Sequence, residues 1–333
     1  MISPDPPANA YVLISPCRDE AAYVQRTIDA VVAQTVQPQR WIIVDDGSTD
    51  ATPQILQAAA QQHRFITVMR RGDRGTRSVG PGVVDAFYAG YEALQGESYG
   101  YLCKLDMDLD LPPRYFEILR DRMVANPRIG TCSGKPYFID SSRNSSGALI
   151  SERCGDETSV GMTKFYRRAC FEQIGGFVRE VMWDTIDCHR CRMAGWIACS
   201  WDEPDLRFTH LRAMGSSHKG ILAGRMRLGY GQYFMGTAPL YMAVSVLYRM
   251  AHPPLGIGGL AMGWGYLWNG IRRSPRYPDR AFRTFLQRYH WQCLVKGKAH
   301  ATTTLNAQQR AVWDAVWATH PAQPTAHDPS SKL

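Results

Sequence analysis

Two acidic motifs, each directly after an apolar run, have the residue types and spacing to bind a charged ligand. Asp106 and Asp108 follow the run YLCKL at residues 101–105. Where such a run is a strand, both carboxylates lie where the chain leaves the sheet, and they can bind a hard divalent cation, which prefers oxygen ligands. A cation held there would bridge the phosphates of a nucleoside diphosphate and stabilise its departure. The alternative is a solvated acidic turn before Pro112 and Pro113.

The second motif, Asp45 and Asp46, follows the apolar run WIIV at residues 41–44. A carboxylate at that rim can accept hydrogen bonds from the N–H groups of uracil, thymine or guanine. Further along, the basic run RRGDRGTR precedes a helix expected near residue 82. Its Arg71 and Arg74 are candidates to face a pyrophosphate, with a solvated basic loop as the alternative.

The elements that must position these residues follow a repeated order of strand, polar loop and helix. Four apolar runs predict strands at residues 11–15, 41–44, 65–69 and 101–105, and helical patterns occupy 52–62 and 83–94. This order predicts an α/β fold with a mostly parallel sheet flanked by helices, in which ligands bind at the carboxyl ends of the strands. Residues 139–159, rich in Ser, Asn and Gly, are expected to form a long loop.

Composition narrows the class of protein. The 333 residues are 45% hydrophobic and carry a net charge of +8, which excludes a disordered chain, a fibrous repeat and a disulfide-stapled miniprotein. The nine cysteines are odd in number and unevenly spaced, and no basic region followed by a long apolar run opens the chain. We therefore expect a reducing compartment.

Five segments together resemble glycosyltransferase family 2, the inverting nucleotide-sugar enzymes with the GT-A fold. They are SPCRDEAAYVQRTIDAVVAQT, WIIVDDGSTDAT, GVVDAFYAGYEAL, YLCKLDMDLDLPPRYF and GGFVREVMWDTIDCHRCRMAGW, in the order of the family. The acidic motif with its Pro-Pro pair is most similar to the dolichyl-phosphate mannose synthase branch. The resemblance implies a Rossmann-like nucleotide-diphospho-sugar transferase sheet, while the C-terminal third is similar, more loosely, to membrane-associated exopolysaccharide enzymes.

The resemblance also assigns site residues. It implies base recognition by Asp46, further nucleotide contacts from Pro16, Arg18, Glu20 and Asp106, and Mg²⁺ or Mn²⁺ ligation by Asp106, Asp108, Asp110 and His210. An inverting transfer needs one carboxylate that deprotonates the acceptor hydroxyl. The family position of this base aligns best with Asp184, and alternatively with Asp187. The chain departs from the family at Cys17, Arg18 and Asp19, where most relatives have an aromatic residue and Asn, and at Trp183, which replaces the usual Glu.

Two stretches in the C-terminal third, residues 228–248 and 250–271, contain no Asp, Glu, Lys or Arg. Arginines flank them at 225, 227, 272 and 273, where they could rest on anionic head groups. Gly, Tyr, Trp, Gln and Ser are frequent, which favours a re-entrant or interfacial hairpin over two clean crossings. A soluble helical subdomain is the alternative. Nucleic acid fits worst as a partner, because the basic stretches flank apolar segments.

Together these observations predict a GT-A catalytic domain over residues 8–215, with its nucleotide-sugar half at 8–112 and its acceptor half at 113–215. A helical membrane-associated extension is expected over 216–300, and a C-terminal helix with a loose tail over 301–333. The expected reaction is metal-dependent transfer of a sugar from a nucleotide-diphosphate sugar to a lipid-linked or other saccharide acceptor, at the cytoplasmic face of the cell membrane or in the cytoplasm. The alternatives are a polyprenyl-phosphate glycosyltransferase, a nucleotidyltransferase, which would need a Gly-rich loop, and a non-catalytic nucleotide-sugar scaffold.

Overall fold

The computed structural model describes residues 10–72, 80–139, 149–212, 220–252 and 255–317. Its strands are β1 Tyr11–Cys17, β2 Arg40–Asp45, β3 Ile66–Arg70, β4 Tyr101–Leu105, β5 Leu109–Asp110, β6 Ile129–Ser133, β7 Lys135–Ile139, β8 Leu149–Ser151, β9 Thr163–Arg167, β10 Ile197–Ser200 and β11 Arg207–His210. Its helices are α1 Val24–Val32, α2 Thr52–Gln62, α3 Pro81–Glu92, α4 Tyr115–Ala125, α5 Arg168–Gln173, α6 Trp183–Met193, α7 Gly220–Met235, α8 Pro239–Met250, α9 Ile257–Ile271, α10 Arg280–Lys296, α11 Lys298–Gln308 and α12 Arg310–Trp317.

The large sheet confirms the predicted α/β architecture. Within the described ranges it has seven strands in the order β10-β6-β9-β4-β1-β2-β3. All neighbouring pairs are parallel except those of β9, which runs antiparallel to both β4 and β6. In this order β2 and β3 lie on one side of β1, and after β3 the chain returns to place β4 on the other side of β1. At such a change of direction a crevice opens, here at the carboxyl ends of β1, β2 and β4.

The central strands are apolar on both faces, as expected when helices cover both sides of a parallel sheet. Successive residues of β1 alternate between two cores: Leu13 packs in the core that contains α1 and α4, and Val12 and Ile14 pack in the core that contains α3 and α5. Gly90 lets α3 approach β1 closely, since a Cβ at that position would lie 2.7 Å from Ile14 Cγ2. The strand ends are thereby held at fixed positions around the crevice.

A second sheet corrects one expectation. Residues 149–151, predicted to be part of a long loop, form β8, which pairs antiparallel with β7. The sheet order is β5-β11-β7-β8 in the described residues. In this sheet β11 pairs with β5, so the chain near residue 210 lies beside the chain just after β4. Residues that are about a hundred positions apart in sequence therefore meet at one site.

The C-terminal third is helical throughout its described part, but its helices do not follow the predicted uncharged stretches. Residues 228–248 are divided between α7 and α8, because Gly236 has a φ of +84° and Pro239 starts a new helix. Among the helices that the structure describes, none combines the length and the apolar character needed to cross a bilayer. The predicted boundaries at residues 215 and 300 stay predictions, and residues 318–333 of the predicted loose tail lie outside the described part.

Candidate functional site

A cavity of about 430 Å³ lies at the carboxyl ends of β1, β2 and β4. The residues predicted from sequence that border it are Pro16, Arg18, Glu20, Asp46, Asp106, Asp108, Asp184 and His210. Three of the other predicted residues, Arg71, Asp110 and Asp187, do not border the cavity. Arg74 lies outside the described residues. The structure therefore brings most of the predicted nucleotide, metal and base positions to one opening.

Asp46 lies at the end of the cavity formed by β1 and β2, in contact with two arginines. Arg18 Nη1 donates to the Asp46 carbonyl at 3.0 Å, and Arg71 Nη1 donates to Asp46 Oδ1 at 3.1 Å. The Asp46 N–H donates in turn to the Cys17 carbonyl at 2.8 Å, which joins the loops after β1 and β2. Arg71 therefore contacts the predicted base-recognition residue itself. Asp45 has a local role, since its Oδ1 accepts from the Ser48 N–H at 2.9 Å.

Asp106 is held by a lysine from its own strand. Lys104 Nζ donates to Asp106 Oδ1 and, at 3.0 Å, to the Gly161 carbonyl. Burial raises the pKa of Asp106, and the charge of Asp108 adds to this, while Lys104 acts in the opposite direction. Lys104 is itself almost fully buried, and its ammonium group is paired with these two oxygens. A buried charge of this kind needs such pairing.

Asp108 faces two residues delivered by β11. His210 Nε2 lies 3.4 Å from Asp108 Oδ2, and Arg212 Nη2 lies 2.6 Å from the same oxygen. The other end of the imidazole, Nδ1, lies 3.0 Å from Glu152 Oε2. Burial acts to raise the pKa of Asp108, but the hydrogen bonds and charges of His210 and Arg212 outweigh it and hold this pKa below its ordinary value. Arg212 also reaches Glu20 Oε1 at 2.7 Å.

Asp184 and Asp187, the two candidate bases, have different surroundings on α6. Asp184 borders the cavity in the first turn of the helix, against Gly161, where a Cβ would lie 2.7 Å from Asp184 Oδ2. Burial raises the pKa of Asp184, and Asp187 adds to this, while Lys164 and Lys104 lower it. Asp187 is fully buried, with Lys164 Nζ at 2.6 Å from both of its oxygens and a hydrogen bond from the Tyr166 hydroxyl.

The donor groups at the cavity suit a divalent cation in type. Asp106 and Asp108 offer carboxylate oxygens, which Mg²⁺ and Mn²⁺ prefer, and His210 offers an imidazole, which is a more usual ligand of transition metals than of Mg²⁺. In the part of the chain that the structure describes, no three His, Cys, Asp or Glu side chains are arranged as a metal site. The carboxylates bind Lys104 and Arg212 instead, so a cation would have to replace these partners. Asp110 pairs with Arg26 at 2.7 Å, away from the cavity.

Comparison with protein families shows to which family the chain belongs. The model of the family described as "Glycosyl transferase family 2" matches residues 12–183, more than half of the chain. The chain belongs to glycosyl transferase family 2. The matched region starts in β1 and ends at the first residue of α6. It therefore contains Asp46, Asp106 and Asp108, and it stops just before Asp184.

Among curated proteins, this family 2 chain is similar to poly-beta-1,6-N-acetyl-D-glucosamine synthases. It is 29% identical to that of Staphylococcus epidermidis over 137 residues, which are 40% of this chain and 29% of the relative. It is 26% identical to that of Staphylococcus aureus strain COL over 135 residues, with the same shares of each protein. The chain thus matches less than a third of the length of these relatives.

A solved structure supports the fold of this family 2 chain. The structure of GalNAc-T7 with UDP, GalNAc and Mn²⁺ matches with a TM-score of 0.54 at 11% identity, covering 86% of this chain and 57% of that chain. At this identity the likeness concerns the fold alone. It agrees with the mixed sheet flanked by helices and with the predicted GT-A class.

Two charged cavity residues of this family 2 chain, Lys104 and Arg212, were not among the sequence predictions, and Trp183 was noted only as a departure from the family. Lys104 was read only as part of an apolar run, although a Lys inside a buried strand beside an acidic motif is an unusual residue that could have been noticed. Arg212 gave no local signal, because its partners Glu20 and Asp108 are distant in sequence. Trp183 borders the cavity, with its ring 4.7 Å from that of Phe177 and 5.2 Å from Lys104 Nζ.

Proposed function

We propose that the chain is a metal-dependent inverting glycosyltransferase that moves a sugar from a nucleotide-diphosphate sugar to a saccharide acceptor at a membrane. The observation that carries this proposal is the meeting of Asp46, Asp106, Asp108 and Asp184 around one cavity at the strand ends. The names of the curated relatives, which are synthases of a sugar polymer, support a lipid-linked or growing saccharide as acceptor. The proposed location is the cytoplasmic face of the membrane.

Each residue has a proposed role in binding. Asp46, with Arg18 and Arg71 beside it, receives the base, and Pro16 and Glu20 border the nucleoside. Asp106, Asp108 and His210 would hold Mg²⁺ or Mn²⁺, which when bound neutralises charge on the leaving diphosphate. Arg212 contributes a further positive charge at the same point. Asp110 stays a weaker candidate, since its carboxylate pairs with Arg26.

Asp184 is the proposed base. It takes the proton from the acceptor hydroxyl while the oxygen forms a bond to the anomeric carbon, and the bond from that carbon to the diphosphate breaks on the opposite face. A buried carboxylate with a raised pKa holds a proton better at this moment than a solvated one. A polyprenyl phosphate acceptor, the second candidate, is already anionic and needs no base, so Asp184 at the cavity favours the hydroxyl acceptor.

Calorimetry tests the donor site. UDP, GDP and dTDP are titrated into the full chain with and without Mn²⁺, and into Asp108→Asn. We expect one nucleotide to bind with a strong dependence on Mn²⁺ and about tenfold or more weaker binding to the variant, since a charged oxygen contact is lost. Asp202→Asn is the matched control, because Asp202 is exposed and pairs with Arg207 away from the cavity. Folded protein that binds none of the three would contradict the proposed donor site.

A further inference from the structure

The exposed side of α8 is almost entirely apolar. Its large exposed side chains are Leu240, Val244, Leu247 and Tyr248, each between 45% and 67% exposed. Their spacing of four, three and one residues places them on one face of the helix. The remaining exposed positions of α8 are Pro239 and Ala243, so the Tyr248 hydroxyl is the one polar side-chain group among the exposed residues of this helix and none of them is charged. A solvated helix normally has the opposite arrangement.

The neighbouring helix α9 repeats the arrangement. Ile257, Leu260, Trp264, Leu267, Trp268 and Ile271 are between 37% and 70% exposed and recur at helical spacing. The rings of Trp264 and Trp268 stack, with centroids 5.6 Å apart. We call the exposed residues of both helices the α8–α9 face. An apolar surface of this extent marks an interaction site rather than an ordinary solvated surface.

The opposite sides of the two helices are fixed against the protein. Met242 of α8 packs with Met262 and Tyr266 of α9 and with Tyr233 of α7. The backbones of α7 and α9 are in contact, since a Cβ on Gly229 would lie 2.0 Å from the Met262 carbonyl oxygen. The α8–α9 face is therefore an outer surface of a packed helix layer, and burying it in the interior would require these contacts to break.

Charge indicates what covers the face. Between Asp205 and Asp279 the chain has no acidic residue, whereas Arg225, Arg227, Arg249, Arg272, Arg273 and Arg276 belong to this helical region. Arg272 lies 4.3 Å from the ring of Trp268, at the edge of the face. Two copies of the chain joined through this face would bring two acid-free basic regions together. An anionic lipid surface complements both features, since it accepts apolar and Trp side chains and attracts arginines.

We propose that the α8–α9 face is a monotopic membrane-binding surface, which enters the headgroup and upper acyl region of a bilayer that contains anionic lipid. Its aliphatic and Trp side chains bury in that region, and the neighbouring arginines contact the headgroups. None of the residues that border the donor cavity belongs to α8 or α9. The surface is thus separate from the donor cavity. It rests on the proposed function only in that both place the chain at a membrane, and donor binding can succeed or fail independently of it.

Flotation with vesicles tests the surface. The full chain is mixed with vesicles of phosphatidylcholine alone or with added phosphatidylglycerol. We expect binding to the anionic vesicles, a loss of about tenfold or more for Leu267→Ser, and weaker binding at high salt. Arg272→Gln should lose about fivefold on anionic vesicles only. The control Trp291→Ala removes an exposed aromatic residue of α10 and should leave binding unchanged.

Two outcomes would overturn the proposal outright, and a third would contradict the choice of surface. One is a folded full chain that does not float with anionic vesicles. The other is a dimer in sedimentation velocity that Leu267→Ser converts to a monomer, because the face would then be an interface between copies. Circular dichroism and cooperative urea unfolding of Leu267→Ser show whether the variant is folded. Equal losses for Trp291→Ala and Leu267→Ser would also contradict the assignment to the α8–α9 face.

Discussion

Two aspartates less than one helical turn apart on α6 have acquired opposite environments. Asp184 borders the cavity, where burial raises the pKa of its carboxyl group. Asp187 is enclosed by Lys164 and Tyr166, which use both of its oxygens. A carboxylate that is already paired with a buried lysine is poorly suited to accept a proton from a substrate. The two residues should therefore respond differently to the same substitution.

Replacing Asp184 with Asn should lower the rate of sugar transfer by about 10²–10⁴-fold, because the proton acceptor is lost. The affinity for the nucleotide should change little, since Asp184 lies in α6 and the nucleobase is expected near Asp46. The measurements are transfer of radiolabelled sugar to membrane acceptors and calorimetry with the nucleotide. Transfer at the unaltered rate would contradict the base assignment and favour an anionic phosphate acceptor.

Replacing Asp187 with Asn should act on stability. Removing one partner of a buried ion pair leaves Lys164 uncompensated, at a cost of about 3–5 kcal/mol in the free energy of unfolding. Urea unfolding of the two variants gives the comparison, with Asp184→Asn as the matched control on the same helix. A stable Asp187→Asn protein with no transfer activity would instead support the alternative base.

At the level of residues, the sequence pointed to candidates that local context makes recognisable, and their roles stay predictions. Asp106 and Asp108 stand next to a clear strand, and Asp46 does as well. Their positive partners could not be predicted in the same way. Arg212 meets Asp108 only because β11 pairs with β5, and Lys164 meets Asp187 only because α6 packs on the strand β9. Such pairs depend on the tertiary fold, which hydrophobic pattern alone does not give.

At the level of elements, α7 and α9 approach each other through glycines. A Cβ on Gly229 would lie 2.0 Å from the Met262 carbonyl oxygen, which is a backbone atom and cannot easily move. Gly229→Ala should therefore destabilise the protein by about 1–3 kcal/mol through overpacking. Gly270→Ala is the control, because its nearest neighbour would be a Tyr233 ring carbon at 3.6 Å. That variant should be neutral or stabilised by about 0.5–1 kcal/mol, as measured by thermal unfolding.

A histidine pair joins three helices. His290 of α10 stacks on Tyr241 of α8 at 3.8 Å and lies beside His189 of α6. Among the described residues, Nδ1 of neither histidine has a hydrogen-bond partner. Burial, helped by the charge of Lys298, lowers the pKa of His290 to about 3, and burial also lowers that of His189. Both rings are therefore neutral in the folded protein at neutral pH.

This pair should make the protein sensitive to mild acid. An unfolded histidine takes up a proton below about pH 6.5, whereas His290 does not while the protein is folded, so stability is full above that pH and falls as the pH falls. Between pH 6.5 and 5, His290 should account for about 2 kcal/mol of lost stability. His290→Phe, which keeps a ring against Tyr241, should reduce this loss in urea unfolding at the two pH values. An unchanged pH dependence would contradict the lowered pKa.

Strands and helices were predicted well where the segments before and after them in the chain also had clear sequence patterns. The strands at 41–44 and 101–105 and the helix at 52–62 match β2, β4 and α2 closely. β8 was missed because it is an edge strand of only three residues whose one pairing among the described residues is with β7. The uncharged stretch 228–248 was read as continuous because composition does not record the positive φ of Gly236.

At the scale of the whole molecule, the C-terminal helices α7 and α10 pack against α6, the helix that carries Asp184. Ile186 of α6 is buried among Phe234, Met235, Phe282 and Leu286. A chain ending at residue 215 would expose this side of α6, next to Asp184, and we expect it to aggregate or to lack cooperative unfolding. A chain ending at residue 317 is the matched control and should unfold like the full chain. Circular dichroism and size-exclusion chromatography provide the measurement.

The opposite result would be equally informative about domains. If the chain ending at residue 215 folded and bound nucleotide with the affinity of the full chain, the boundary predicted from sequence would mark an independent unit. The contact of Arg128 Nη2 with the Asn306 carbonyl at 2.8 Å, which joins β6 to α11, would then contribute little.

The cavity carries its own counter-ions. Asp46 lies against Arg71, Asp106 against Lys104 and Asp108 against Arg212. Binding of the donor would therefore exchange these ion pairs for new ones, as on an ion-exchange resin, and would not simply fill an empty space. Arg212 and His210 both contact Oδ2 of Asp108. If a divalent ion took the place of Arg212 there, the charge of Arg212 would become available to the diphosphate that arrives with that ion. Nucleotide and metal should therefore bind cooperatively, each with low affinity unless the other is present.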